Sequence, residues 1–220
     1  MSDPLRVLVE YLYENGFSVL YASYIGSYQT EDWIENVSDI DIMVVIDGKK
    51  PRKLPRLDDV DVIVLTSKDL ENIDTVLAVD IIFSKPIIDT INLREIVGKK
   101  LNEDEILVLL NDVMRELDEL SENSPALELG CGILLYPIIR KICAILSYLH
   151  NEKWGLRKLG KEILQTVGAD IIEGLLKIKT AYNKVLKVGE KHFDEYVTRE
   201  ECLNTLETLR KFVRILRQNF

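Results

Sequence analysis

Cysteine, histidine and tryptophan are scarce in this chain of 220 residues, which holds three, two and two of them. Cys131, Cys143 and Cys202 share no paired spacing and fall in apolar stretches of helical periodicity, so core packing is expected rather than a disulfide or a zinc site. His150 and His192 are isolated and are expected at helix ends or at the surface. Long apolar runs are missing too. The longest without a charge, Leu129 to Ile139, falls short of the ~20 residues that span a bilayer. Asp3 and Glu10 stand where a signal peptide would be basic and then purely apolar. A cytoplasmic protein with no membrane partner is expected. Basic residues are the minority, 28 against 37 acids for a net charge of −9, so the general attraction of a cationic protein to polyanions is lacking. No internal repeat, heptad run or low-complexity tract is present.

What is there suffices for one large or two small globular domains, with 47% apolar and 30% charged residues. The charge is unevenly spread. Residues 1–100 carry 18 acids and 11 bases (18 − 11, net −7), and residues 101–220 carry 19 and 17 (19 − 17, net −2). One local exception is the stretch GKKPRKLPR, with Lys49, Lys50, Arg52, Lys53 and Arg56. It reads as a solvated connection between strands, with contact to a phosphate as the alternative.

Leu5, Leu8, Val9 and Leu12 recur at helical spacing from Pro4 to Asn15, and Gly16 stops that helix. Four strand-like runs follow: SVLYASYI (18–25), DIDIMVVI (39–46), VDVIVLT (60–66) and VDIIFSK (79–85), with a helix over SKDLENIDTVL before the last. Past residue 100 the strands stop, and helical patterns occupy about 103–121, 126–151, 156–167, 170–188 and 199–217. The expected architecture is α+β: a mixed sheet with flanking helices over residues 1–98, then an all-helical bundle over 103–220.

Two acids sit oddly in the second strand run. Side chains alternate along a strand, so Asp39 and Asp41 share one face while Ile40, Ile42 and Val44 take the other. Asp61 has the same place in the next run, and if the two strands are neighbours it joins that face. Like charges across adjacent strands are destabilising. A hard divalent ion such as Mg²⁺, which takes carboxylates, water and phosphate oxygens, offsets them. The first strand ends in Gly26-Ser27, where a missing Cβ, a hydroxyl and backbone amides suit a phosphate. A short helix is expected next, with Thr30 as its cap.

A strand ending in Gly-Ser, then Ser-Asp-x-Asp 12 and 14 residues on, then an acid in the third strand resembles the nucleotidyltransferase superfamily that includes DNA polymerase beta. The matching residues are IGS (25–27), SDID (38–41) and VDV (60–62), within a resemblance spanning about residues 5–90. Residues 60–89 look most like the small minimal nucleotidyltransferases. The helical half, through RKICAILSYLH, WGLRKLGKEIL and GLLKIKTAY, is similar to aminoglycoside adenylyltransferases. That resemblance implies nucleotide-holding roles for Lys158 and Tyr182, and a looser one for Arg140. It implies two Mg²⁺ ions on Asp39, Asp41 and Asp61, phosphates of ATP or another nucleoside triphosphate on Gly26, Ser27 and Ser38, and transfer of a nucleotide, AMP from ATP, to a hydroxyl with loss of pyrophosphate. The acceptor stays open among a small molecule, a protein and RNA. The rival reading is a nucleotide-binding or antitoxin-like regulatory module on the same fold.

Overall fold

The computed structural model describes residues 3–33, 38, 40–123, 130–188 and 196–219, and the chain divides into two compact units, 1–102 and 103–220. In the first unit, helix α1 (Pro4–Glu14) starts because Asp3 accepts from the Leu5 amide at 3.0 Å and Pro4 presets the first turn. Gly16, at φ +78°, turns the chain out of it. Strands β1 (Val19–Ile25), β2 (Ile40–Ile46), β3 (Val60–Thr66) and the short β4 (Ile88–Asp89) form one mixed sheet in the order β3-β2-β1-β4. β2 runs antiparallel to β1 and parallel to β3, and β4 is antiparallel to β1.

The alternation of β1 and β2 divides the core. Ala22, Ile42, Val44 and Ile46 pack with Leu5, Leu8, Val9 and Leu12 of α1 on one face. Tyr21, Ile25, Met43 and Val45 pack on the other against Ala78 and Ile81 of α2 (Thr75–Phe83) and Leu93 and Val97 of α3 (Leu93–Lys100). A helix on each face of a sheet is the layered solution for burying both sides.

The run 79–85 departs from its expected strand. Val79 to Phe83 belong to α2, which begins one residue after Asp74, whose carboxylate accepts from the Leu77 amide at 3.0 Å. Ala78, Val79, Asp80 and Ile81 are all buried, and a short segment buried at successive positions carries no period that separates a buried helix from a buried strand. The strand that closes the sheet lies farther on, at Ile88–Asp89.

The second unit holds five helices among the described residues: α4 (Glu103–Glu122), α5 (Cys131–His150), α6 (Leu156–Val167), α7 (Ile172–Val188) and α8 (Arg199–Gln218). α5 packs against α4, α7 and α8. It is long and apolar enough to cross a membrane, but 61% of its apolar window is buried inside the protein, as in the central helix of a bundle. Cys131 on α5 and Cys202 on α8 form a disulfide, which corrects the expectation of packing alone; Cys143 is buried and lies outside the disulfide. The two partners stand 71 residues apart, so only the helix packing brings them together.

Candidate functional site

Strand register builds the site at one end of the sheet. Asp41 is the register partner of Ile25 on one side and of Asp61 on the other. Parallel neighbours lie ~4.8 Å apart, so the two aspartates stand side by side. Asp41 alternates with Ile42, whose side chain joins the α1 layer; Asp61 alternates with Val62, which packs against that same layer. Both carboxylates therefore occupy the face of α2 and α3, half-buried for Asp41 and exposed for Asp61. The conditional reading of the third acid holds in the register.

Where β1 ends, Gly26 adopts φ +65° and opens a 3-10 turn, Gly26–Gln29. A Cβ there would collide with Asp41 Oδ2. The missing side chain is thus filled by a carboxylate of the site itself, whereas the sequence reading gave that space to a phosphate. Ser27 is half-buried in the same turn, and its carbonyl accepts from the Thr30 amide at 2.9 Å and the Thr30 hydroxyl at 3.0 Å. Thr30 therefore closes the 3-10 turn, and its hydroxyl accepts from the Asp32 amide at 3.3 Å. The helix expected after it runs into residues 34–37, outside the described residues. Ser38 is buried, 4% exposed, while Asp39 lies outside the described residues.

The donor set fits a hard divalent cation, being two register-paired carboxylates with only oxygen to offer. Among the described residues, no group of three or more His, Cys, Asp or Glu side chains gathers to hold a metal. Asp41 and Asp61 are the described pair that would hold it.

The turn itself carries, at Tyr28, an aromatic group that the sequence reading passed over. Tyr28 tilts against Tyr24, ring centres 4.8 Å apart, and meets Trp33 edge-on at 5.7 Å. Burial, and then the bond that the Tyr24 hydroxyl donates to Asp3, push the Tyr24 phenol well above its usual range. Tyr28 remains 39% exposed. The signal was legible as three aromatics within ten positions flanking Gly-Ser.

Lys158 and Tyr182 belong to the helical unit. Lys158, in the first turn of α6, pairs with Glu152 at 2.8 Å and donates to the Lys153 carbonyl at 3.2 Å. Tyr182 on α7 packs its ring on Tyr136 at 4.7 Å, and its backbone runs so close to α5 that a Cβ on Gly132 would come within 2.7 Å of the Tyr182 nitrogen. Arg140 is exposed on α5.

A mixed sheet with helices on both faces, a Gly-Ser turn and register-paired acids at one strand end define a nucleotidyl-transfer domain. A family model, nucleotidyltransferase domain, matches residues 17–127, and the chain belongs to this family. The solved structures include a nucleotidyltransferase-like protein from Exiguobacterium sibiricum 255-15 that is 14% identical. It aligns over 94% of this chain and 74% of that one, with a TM-score of 0.33. No curated protein matches the chain.

Proposed function

We propose that this protein transfers a nucleoside monophosphate, AMP from ATP, to a hydroxyl acceptor and releases pyrophosphate. The observation that carries the reading is the register pairing of Asp41 with Asp61 against the Gly26 turn. Asp41 and Asp61, with Asp39, would hold two Mg²⁺ ions, which when bound offset charge on the attacking and leaving oxygens. Ser27 and Ser38 hold the β- and γ-phosphates by their hydroxyls and the turn's amides. The acceptor oxygen bonds to the α-phosphorus as the bond from that phosphorus to the bridging oxygen breaks, and pyrophosphate leaves with that oxygen. Asp61, the more exposed of the pair, takes the acceptor's proton.

Pyrophosphate release tests the reading, measured with Mg²⁺, each of the four nucleoside triphosphates and a panel of small-molecule, protein and RNA acceptors. Release that requires ATP and an acceptor, and falls at least about a hundredfold in Asp61→Asn, is expected, the low end for loss of a general base. Tight ATP binding without release on any acceptor would instead identify a nucleotide-binding module.

A further inference from the structure

The connection from β2 to β3 is the strongest charge anomaly in the molecule. Lys49, Lys50, Arg52, Lys53 and Arg56 lie within eight positions that hold no acid, and all five are exposed. They contribute +5 to residues 1–100, whose total is −7, so the remainder stands at −12 (−7 − 5). Lys50 pairs with Asp69 at 3.1 Å. Among the described residues, Lys49, Arg52, Lys53 and Arg56 form no ion pair.

The segment is a tied strap. At its start the Asp47 amide donates to the Ser18 carbonyl at 2.9 Å, and at its end the Asp59 carbonyl accepts from the Ile40 amide at 3.0 Å. Midway, the Tyr11 hydroxyl donates to the Lys53 carbonyl at 3.4 Å, and Leu57 packs into the α1 layer. Pro51 and Pro55 fix two more dihedrals. Four mutually repelling cations are thus held on a backbone with little freedom to spread them, at a site whose order costs little more when a ligand arrives.

The borders set the width of the ligand. Asp47 precedes the cations, Asp58 and Asp59 follow them, and α1 beside the strap exposes Glu10 and Glu14. A membrane plane or a broad duplex would press against those acids; a single phosphate backbone along the strap would not. Aromatic faces belong to the same layer. Tyr24 packs into the α1 core cluster as Leu57 does, and Tyr28, partly exposed, tilts against Tyr24. A cationic track with stacking rings is the recognition chemistry of single-stranded nucleic acid.

We propose that the strap Gly48–Leu57 is an exosite for single-stranded nucleic acid, with its phosphates on Lys49, Arg52, Lys53 and Arg56 and a base on Tyr28. The strap lies on the α1 layer, on the face of the sheet opposite Asp41 and Asp61, and Tyr28 stands in the turn at the end of β1. Binding in the absence of nucleotide reads it separately from any transfer reaction.

The test is fluorescence anisotropy of a labelled oligouridylate with the full chain across a salt series. Four phosphate contacts predict a slope of log K on log salt of about −2.8. The quadruple variant Lys49→Gln/Arg52→Gln/Lys53→Gln/Arg56→Gln keeps Lys50 and its Asp69 pair, and is expected to lose at least about tenfold in affinity at low salt with a slope near zero. The double variants Lys49→Gln/Arg52→Gln and Lys53→Gln/Arg56→Gln should each halve the slope, which keeps the test open if the quadruple variant misfolds. Tyr28→Leu should lower affinity about fivefold or more with the slope unchanged, one stacked base lost. Equal affinity in wild type and charge variants, or no binding at low salt, overturns the exosite. Tighter binding of a duplex or of polyglutamate, or unchanged affinity in Tyr28→Leu, overturns its assignment to a single strand.

Discussion

The sheet unit and the helical unit use charge in opposite ways. In the helical unit three acids are matched across helices: Asp118 receives Arg210 at 2.6 Å and Arg214 at 3.0 Å, Glu116 receives Lys141 at 2.5 Å, and Glu201 receives Lys177 at 2.6 Å. Each pair joins two helices, and the Cys131–Cys202 bond joins two more positions in the same way. In the sheet unit the conspicuous charges are set beside their own kind, Asp41 beside Asp61 in register and four cations along one strap. Charge that is matched within the fold serves the fold. Like charge brought together by strand register or by a tied loop is where a ligand of opposite charge is favoured, which is why both functional readings fall in the first unit.

The largest effect that sharpens this contrast is on stability in the helical unit. The disulfide closes a span of 71 residues, and Cys202→Ser should cost about 2–4 kcal/mol in denaturant unfolding, matched by wild type under reductant. The transition of the sheet unit should not move. Next comes Gly26→Ala. It places a Cβ at φ +65° and against Asp41 Oδ2, and should cost about 1–3 kcal/mol while also displacing the site carboxylate. An Ala variant as stable and active as wild type would mean that Asp41 has room to withdraw.

Acid should separate the units as well. The Lys177 ammonium, then the backbone amide and hydroxyl of Thr198, pull the Glu201 carboxyl down to about 2 from its ordinary 4.5. A carboxyl lowered by folding contributes stability that is complete above its unfolded value and is lost as pH falls towards the folded one. Unfolding of the helical unit should therefore ease between pH 4.5 and about 2, and Glu201→Gln should flatten that dependence. The effect is modest because the pair is about one-third exposed, 36% for each side chain. The smallest effect has the opposite sign. Asp61→Asn in metal-free buffer should raise the stability of the sheet unit by about 0.2–1 kcal/mol, through relief of repulsion across the strands.

The parts readable in advance were those set by neighbours in sequence. β1 to β3 and α6 fall where alternation, helical spacing and glycine stops put them, and Asp41 and Asp61 share a face because period-two alternation makes them. Their direct pairing needed the parallel register, which sequence left as a condition. The misread segment 79–85 opens with Val79, Asp80 and Ile81 buried in succession, so the local pattern was silent and the Asp74 cap chose the helix. The disulfide depended on how α5 meets α8, and the partner of Gly26 proved to be Asp41, contacts that only the packed chain defines. Asp39 was legible as a candidate and lies outside the described residues.

The carboxylate pair itself is tested most directly by melting wild type and Asp61→Asn side by side over a MgCl₂ titration, following the transition of the sheet unit. Without metal the variant should melt higher. As Mg²⁺ reaches about a hundred times its dissociation constant, wild type should gain about 2.7 kcal/mol and rise above the variant, which should hardly respond, so the two curves cross. Parallel responses to Mg²⁺, or a variant that melts lower from the start, would show that Asp41 and Asp61 are held by the fold's own partners and do not form a cation site.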